Sequence, residues 1–249
     1  MSEQAINVEQ HGAVLVLTLA QPEKRNALSA AMCQEIGRVI TEAASGADAA
    51  RAVLIKAEGP AFCAGADLGG GVYGDDFHTS LHAMLHAILD SPLPVIASVQ
   101  GPAVGAGTQL SLACDLRVVG ERAWFGVPAA QLGFALDAWT LNRSKDLLGG
   151  AVARNVLLGM QRVSADQALA LGFAATAGDD AAALEYAQQV AAQAPLALKQ
   201  LKSVLNAHDG SYQLDEKGQA LYAQCWASED AKEARQARAE KRQPVFQGK

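Results

Sequence analysis

Residues 94–115 read PVIASVQGPAVGAGTQLSLACD, an apolar run that breaks at glycine and resumes with helical spacing. The part bounded by Pro94 and Gly101 has the length and composition of a buried strand. The backbone is expected to turn at Gly101-Pro102, and Gly105 and Gly107 flank Ala106, where a helical pattern through Gln109, Leu110, Leu112 and Ala113 begins. A helix opening there leaves its first N–H groups unpaired, with the positive end of its dipole facing whatever lies above the turn. Such a turn suits an oxygen that gains negative charge, or else it only packs tightly against its neighbours. A second glycine-rich break, EGPAFCAGADLGGG at 58–71, tips the balance toward the first reading.

Outward from these two breaks, the patterns predict a hairpin of 5–9 with 13–20 over His11-Gly12 and a helix from Ser29 to about residue 44. A buried strand at 52–57 leads into the second break, and a helix at about 75–90 follows it. After the central stretch come strands at 116–119 and 123–125, helices at about 138–148 and 151–158, and a short helix capped by Ser164. From Asp179 onward the chain reads as almost wholly helical, at 181–194, 196–207, 212–226 and 229–241. The fold class is therefore α/β, strands alternating with crossover helices. Pro195 marks the expected boundary between a mixed core, 1–195, and a helical C-terminal region, 196–249.

The 249 residues are 50% hydrophobic but only 5% aromatic, so a core of good size is packed mainly by small and aliphatic side chains. Twenty basic residues against 26 acidic ones give a net charge of -6, and no basic block interleaved with aromatics offers a nucleic-acid surface. No apolar run reaches membrane-spanning length and the first residues lack a leader pattern, so a cytoplasmic location is expected. Cys33, Cys63, Cys114 and Cys225 show no CxxC spacing and are read as reduced core residues. His78, His82 and His86 recur four apart on one predicted helix, but they flank the stripe of Leu81, Met84, Leu85 and Ile88, which suits a pocket-lining face better than a metal site. No metal is expected. The mixed charges of 229–242 suit a solvated or oligomer-rim face.

PEKRNALS at 22–29, AFCAGADL at 61–68, GPAVGAGTQLSLACDLRVV at 101–119 and FGVPAAQLG at 125–133 stand in an order and at separations that resemble the crotonase superfamily, which includes enoyl-CoA hydratases and isomerases. The resemblance implies a spiral of β-β-α turns, a C-terminal helical extension used in trimerisation, with trimers often paired into hexamers, and a pocket for an acyl-CoA thioester. It implies that the Ala66 and Ala106 backbone N–H groups bind the thioester oxygen. An enolate-forming reaction places negative charge on that oxygen, and fixed amide dipoles stabilise it without rearranging; losing one such donor costs about 10²–10³ in rate. By the same resemblance CoA is held by Lys24, Arg25 and Ala27 and by Ala64, Gly65, Asp67 and Leu68, and the acyl pocket includes Gly105, Gln109, Ala129, Leu132 and Trp139. No cofactor is implied beyond acyl-CoA itself as substrate or ligand.

The chain departs from the hydratase pattern where that pattern has two glutamates, for Gln109 and Ala129 stand there. Neither an amide nor a methyl group does the work of a carboxylate base, each such group being worth roughly 10²–10⁴ in rate. Asp137 falls where related isomerases and a dehalogenase resemble one another in using an aspartate, and it would equally cap a helix starting at Ala138. Three readings follow. The chain is an enoyl-CoA hydratase or isomerase by resemblance with Asp137 as its acid-base group, or a long-chain acyl-CoA carrier that delivers acyl groups to lipid-synthesis enzymes without chemistry. The third, a Clp-like serine peptidase, lacks a GxSxG motif and a matching histidine.

Overall fold

Along Val14–Leu19 successive side chains enter two different apolar environments, and that alternation explains how the sheet is buried. The computed structural model describes residues 5–45, 49–67, 75–132, 135–207 and 216–249. Leu68, the side chain of Cys225 and the first residues of the helix expected from 212 lie outside the described residues. Strand β1 (Ile6–His11) pairs antiparallel with β2 (Val14–Leu19), Ile6 opposite Leu19 and His11 opposite Val14. The turn thus falls at Gly12-Ala13, one residue later than expected, with Gly12 at a φ of +61° that a residue with a side chain rarely takes. Strands β3 (Ala52–Ala57), β4 (Val95–Val99), β6 (Leu116–Val119) and β9 (Thr176–Ala177) then add in parallel. Among the described residues the order is β1-β2-β3-β4-β6-β9, and a smaller sheet holds β5 (Pro102–Val104), β7 (Trp124–Gly126) and β8 (Val163–Ser164) in that order.

Leu17, Leu19, Val53, Ile55, Val95 and Ala97 face the main core, while Val14, Val16, Ala52, Leu54 and Ile96 face the opposite side. A parallel sheet covered on both faces needs apolar residues at consecutive positions, which is why these strands read as unbroken apolar runs. Helix α1 (Ala30–Glu42) covers the first face with Met32, Cys33, Ile36, Val39 and Ile40. Ser29 Oγ caps it by accepting the Met32 N–H at 3.2 Å. Helix α1 packs on α2 (Asp75–Asp90), which contributes Phe77, Leu81, Met84, Leu85 and Ile88. Burying side chains such as Ile36 and Ile88 stabilises the fold by roughly 1.5–3 kcal/mol each.

The second face is covered by α7 (Asp180–Ala191), which presents Ala183, Ala187 and Ala191. Three methyl groups at spacing four let that helix lie close on the strands, the structural use of an alanine-rich composition. The expected end of this helix at 194 is not reached. Ala194 is extended ahead of Pro195, as the residue before proline must avoid clashing with the ring.

The remaining helices are α3 (Ala106–Ala113), α4 (Ala138–Leu148), α5 (Gly150–Leu157), α6 (Ala165–Ala170), α8 (Pro195–Leu205), α9 (Glu216–Ala227) and α10 (Glu229–Glu240). The path from large sheet to small sheet to helix repeats: β4 leads to β5 and α3, and β6 leads to β7 and α4. In the earlier turns the small-sheet step shrinks to single parallel bridges, Leu28 with Ala66 and Cys63 with Ala103. Helix α8 is tied to this core by Lys202, whose buried Nζ donates to the Ile88 and Leu93 carbonyls and pairs with Asp115 Oδ2, all at 2.8 Å. No helix among the described residues is long and apolar enough to cross a membrane.

Candidate functional site

The two glycine-rich breaks meet edge to edge. Cys63 N–H donates to the Pro102 carbonyl at 3.1 Å and Val104 N–H to the Cys63 carbonyl at 2.9 Å, which lays the first break along β5. A Cβ on Gly107 would stand 2.4 Å from the Cys63 carbonyl oxygen, so only glycine lets the first turn of α3 approach this closely. Gly105, the N-cap of α3, takes φ +53° and ψ -114°, a backbone that a side chain would strain. Thr108, almost fully buried, pins the turn from inside. Its Oγ1 lies 2.7 Å from the Ala103 carbonyl and accepts the Gly126 N–H at 3.1 Å.

This packing leaves two N–H groups over. On the first break Leu28 N–H donates to the Gly65 carbonyl and Asp67 N–H to the Leu28 carbonyl, each at 2.8 Å, so Ala66 N–H faces away from that pairing. Ala106 is the first residue of α3, a position without an intrahelical acceptor. Among the described residues neither the Ala66 nor the Ala106 N–H has a hydrogen-bond partner. Both residues line one cavity of about 410 Å³.

The walls of that cavity are mostly apolar, with Phe77 and Leu81 from α2, Val104 from β5 and Val127 and Leu136 beyond β7. Ala64, Gly65, Gly105, Gln109, Ala129 and Leu132, all expected at the site, lie on its lining. Trp139 is not brought to it. It packs against the main core with its Nε1 sealed and unpartnered, because the first turn of α4 directs Asp137 rather than Trp139 at the cavity. Of the three spaced histidines, His78 and His82 line the cavity and His86 does not.

The polar end of the cavity is a connected set. Asp137 caps α4, its Oδ1 accepting the Thr140 N–H at 2.9 Å and its Oδ2 the Thr140 hydroxyl at 2.6 Å. Thr140 Oγ1 in turn accepts Gln109 Nε2 at 2.7 Å, and His82 Nε2 stands 3.5 Å from Asp137 Oδ2. Burial pushes the Asp137 carboxyl up, but the two Thr140 hydrogen bonds and the positive charge of a protonated His82 outweigh it and hold the group below its ordinary value. Gln109 and Ala129 are both buried against this wall, and neither offers a carboxylate.

Of the CoA-binding candidates, Ala64 and Gly65 line the cavity, while Lys24, Arg25, Ala27 and Asp67 do not. Lys24 and Arg25 are exposed on a turn whose carbonyls are tied inward, Arg25 O accepting Ala64 N–H at 3.0 Å and Lys24 O accepting Ala27 N–H at 3.2 Å. Lys24 Nζ lies 3.5 Å from Asp67. The turn is held by Asn26, which the sequence reading passed over. Fully buried at φ +54°, it accepts Gln21 N–H and donates to the Glu58 and Ala61 carbonyls. An asparagine within PEKRNALS, a residue type that tolerates left-handed backbone, was the signal available. Burial pushes the thiols of Cys33, Cys63 and Cys114 up to about 12, which keeps them in the thiol form at neutral pH.

A family model for enoyl-CoA hydratase/isomerase matches residues 9–249. A protein of Mycobacterium bovis named "Probable enoyl-CoA hydratase echA6" is 40% identical over 243 residues, 98% of this chain and 99% of the relative. The carnitinyl-CoA dehydratase of Citrobacter koseri is 34% identical over the whole of both chains. Among solved structures, an enoyl-CoA hydratase/carnitine racemase of Magnetospirillum magneticum superposes with a TM-score of 0.88 at 26% identity, covering 100% of this chain and 97% of that one. An enoyl-CoA hydratase subunit of Geobacillus kaustophilus does so with a TM-score of 0.86 at 33% identity, covering 99% of each.

Proposed function

Because the chain belongs to the enoyl-CoA hydratase/isomerase family, we propose that it binds acyl-CoA thioesters in the cavity between the two glycine breaks, the Ala66 and Ala106 N–H groups holding the thioester oxygen. The observation that carries this reading is the pair of unpartnered N–H groups, one from each break, on the wall of a single mostly apolar cavity. Fixed donors of this kind need no rearrangement when charge develops on the oxygen. The acyl chain follows the apolar wall, and Lys24 and Arg25, exposed on the turn bonded to Ala64 of that wall, meet the CoA phosphates.

Hydration through two carboxylates does not occur, since Gln109 and Ala129 occupy the relevant wall. The protein therefore works in acyl-CoA metabolism either as a carrier that hands acyl groups to lipid-synthesis enzymes or as an isomerase using Asp137. What favours the second is that Asp137 lies on the cavity wall; what favours the first is that both its oxygens are engaged by Thr140 and its basicity is lowered. We place this activity in the cytoplasm, in a homotrimer or a dimer of trimers built through residues 196–249, where α8 leaves Leu201, Val204 and Leu205 exposed. Incubating the purified protein with acyl-CoAs of several chain lengths, with binding followed by calorimetry and products by mass spectrometry, tests the proposal. Binding without turnover selects the carrier, turnover to a positional isomer selects the enzyme, and absence of binding to all of them overturns both.

A further inference from the structure

A second cavity of about 410 Å³, which shares no lining residue with the acyl cavity, opens at the carboxyl ends of the parallel strands on the face that α7 covers. It exists because the sheet changes character there. Val16, Leu54 and Ile96 pack under α7, but two residues on, on the same face of each strand, stand Thr18, Lys56 and Ser98. The register sets Asn7 opposite Thr18 and Thr18 beside Lys56, and Ser98 follows one step beyond the pair of Ile55 with Ala97. Helix α7 stops at this polar row. Its first residue, Asp180, reaches Ser98, whose hydroxyl donates to Oδ1 at 2.6 Å.

The polar groups of this cavity are held in place from behind. A carboxylate only accepts, so Ser98 spends its proton on Asp180 and accepts Gln100 Nε2 at 3.0 Å, while the same Nε2 donates to the Gly178 carbonyl at 2.9 Å. Thr18 is only 7% exposed, and its hydroxyl has no partner among the described residues yet is not sealed, so it opens on the cavity it lines. Charges of both signs line the same space without meeting. Lys56 and Arg122 are its cations and Glu58 and Asp180 face them as carboxylates, but among the described residues none of the four forms an ion pair. Glu9, the remaining carboxylate, is engaged by His11 at 3.1 Å. Partly enclosed charges are costly to leave unpaired, and a ligand of one sign would serve only half of these. We infer that this cavity binds a small zwitterion such as a free amino acid, its carboxylate meeting Lys56 and Arg122, its ammonium meeting Asp180 and Glu58, and its edge meeting the Thr18 hydroxyl. Lys56 and Ser98, which anchors Asp180, stand on neighbouring strands about 4.8 Å apart, a separation that a ligand with few carbons between its charges can bridge.

The test titrates glycine, β-alanine and γ-aminobutyrate into the full chain by isothermal titration calorimetry, with butyrate and butylamine as controls that carry one charge each. At least one zwitterion should bind, at least about tenfold more tightly than either control, the worth of one hydrogen bond to a charged group. Lys56→Met should weaken that binding about tenfold or more by removing the partner of the ligand carboxylate. Asp180→Asn keeps an oxygen to accept the Ser98 proton and should weaken it from the other end, which gives a second reading should the first variant fold poorly. Acyl-CoA binding should be the same in both variants as in wild type, and acyl-CoA should not compete with the zwitterion. Binding of none of the three, a control that binds as tightly as the zwitterions, or binding that survives in both variants overturns the inference. Competition by acyl-CoA overturns it as well, since the zwitterion would then sit in the acyl cavity.

Discussion

Thr140 holds both oxygens of Asp137: its N–H donates to Oδ1 at 2.9 Å and its hydroxyl to Oδ2 at 2.6 Å, so the carboxylate is clasped by the first turn of the helix it caps. Burial alone would raise the Asp137 carboxyl, and the clasp together with the charge of a protonated His82 reverses that. A carboxyl lowered on folding contributes stability that is fully present above the unfolded value of about 3.9 and is lost as the pH falls through the lowered folded value. Asp137→Asn keeps the cap but not the charge. The difference in stability between wild type and Asp137→Asn, read from urea melts, should therefore shrink as the pH is taken from about 5 down below about 3.9. Asp137→Ala should cost on the order of 1 kcal/mol at neutral pH. A difference that grows toward acid pH would mean that the clasp is not charge-assisted.

The same substitution separates an enzyme from a carrier. If Asp137 moves a proton beside the thioester, Asp137→Asn should lower any isomerase rate by roughly 10²–10⁴ while acyl-CoA affinity stays close to wild type. An isomerase rate that survives the substitution rules out that role, and the carboxylate is then only a cap.

Hydration offers a control that needs no variant. Gln109 and Ala129 both line the cavity, and neither carries a carboxylate that could activate water or deliver a proton. Each such carboxylate is worth roughly 10²–10⁴ in rate, and although the two effects do not simply add, their joint absence should leave crotonyl-CoA hydration near background in a spectrophotometric assay. Hydration at ordinary enzymatic rates would mean that another group on the wall, Asp137 or a histidine, serves as the base.

Gly107→Ala tests how closely the breaks are packed. In an unencumbered helix the change would stabilise by about 0.5–1 kcal/mol. Here the added Cβ meets the Cys63 carbonyl oxygen at 2.4 Å, backbone that cannot turn aside. Overpacking of this kind typically costs about 1–3 kcal/mol, so the net effect should be destabilising, seen as a lower thermal midpoint. A higher midpoint would show that the two breaks are less tightly joined.

The glycine breaks, the apolar strands and the cap at Ser29 were legible in the sequence because each is a local pattern: spacing of two, spacing of three and four, or a residue type that a turn demands. What stayed hidden joins residues far apart. Thr108 braces Gly126, Thr140 joins Gln109 to Asp137, and Lys202 reaches Ile88, Leu93 and Asp115, pairings that no local pattern announces. Strands β8 and β9, two residues each, are too short to show any period. Trp139 illustrates a different limit. The resemblance put it at the pocket with Asp137, but positions two apart on a helix point about 200° apart, to nearly opposite sides, and only Asp137 reaches the cavity.

The donor role of Ala106 can be tested without the ambiguity that a backbone substitution usually brings. Ala106 is the first residue of α3, the helical position where proline is best tolerated, because its fixed φ matches the helix and its missing N–H has no intrahelical partner to lose. Ala106→Pro therefore deletes one of the two proposed donors while the helix and its cap at Gly105 remain, and circular dichroism and thermal melting should stay close to wild type. At Ala66 the same substitution sits in a parallel bridge with Leu28, where the ring also threatens the pairing. If the Ala106 N–H binds the thioester oxygen, Ala106→Pro should weaken acyl-CoA binding by roughly three- to tenfold, the worth of one net hydrogen bond, and should lower any turnover by about 10²–10³. Free CoA, which lacks the thioester oxygen, should bind the variant and wild type alike, since the contacts proposed for it at Lys24 and Arg25 are untouched. A folded Ala106→Pro protein that binds acyl-CoA as well as wild type would place the thioester oxygen away from α3.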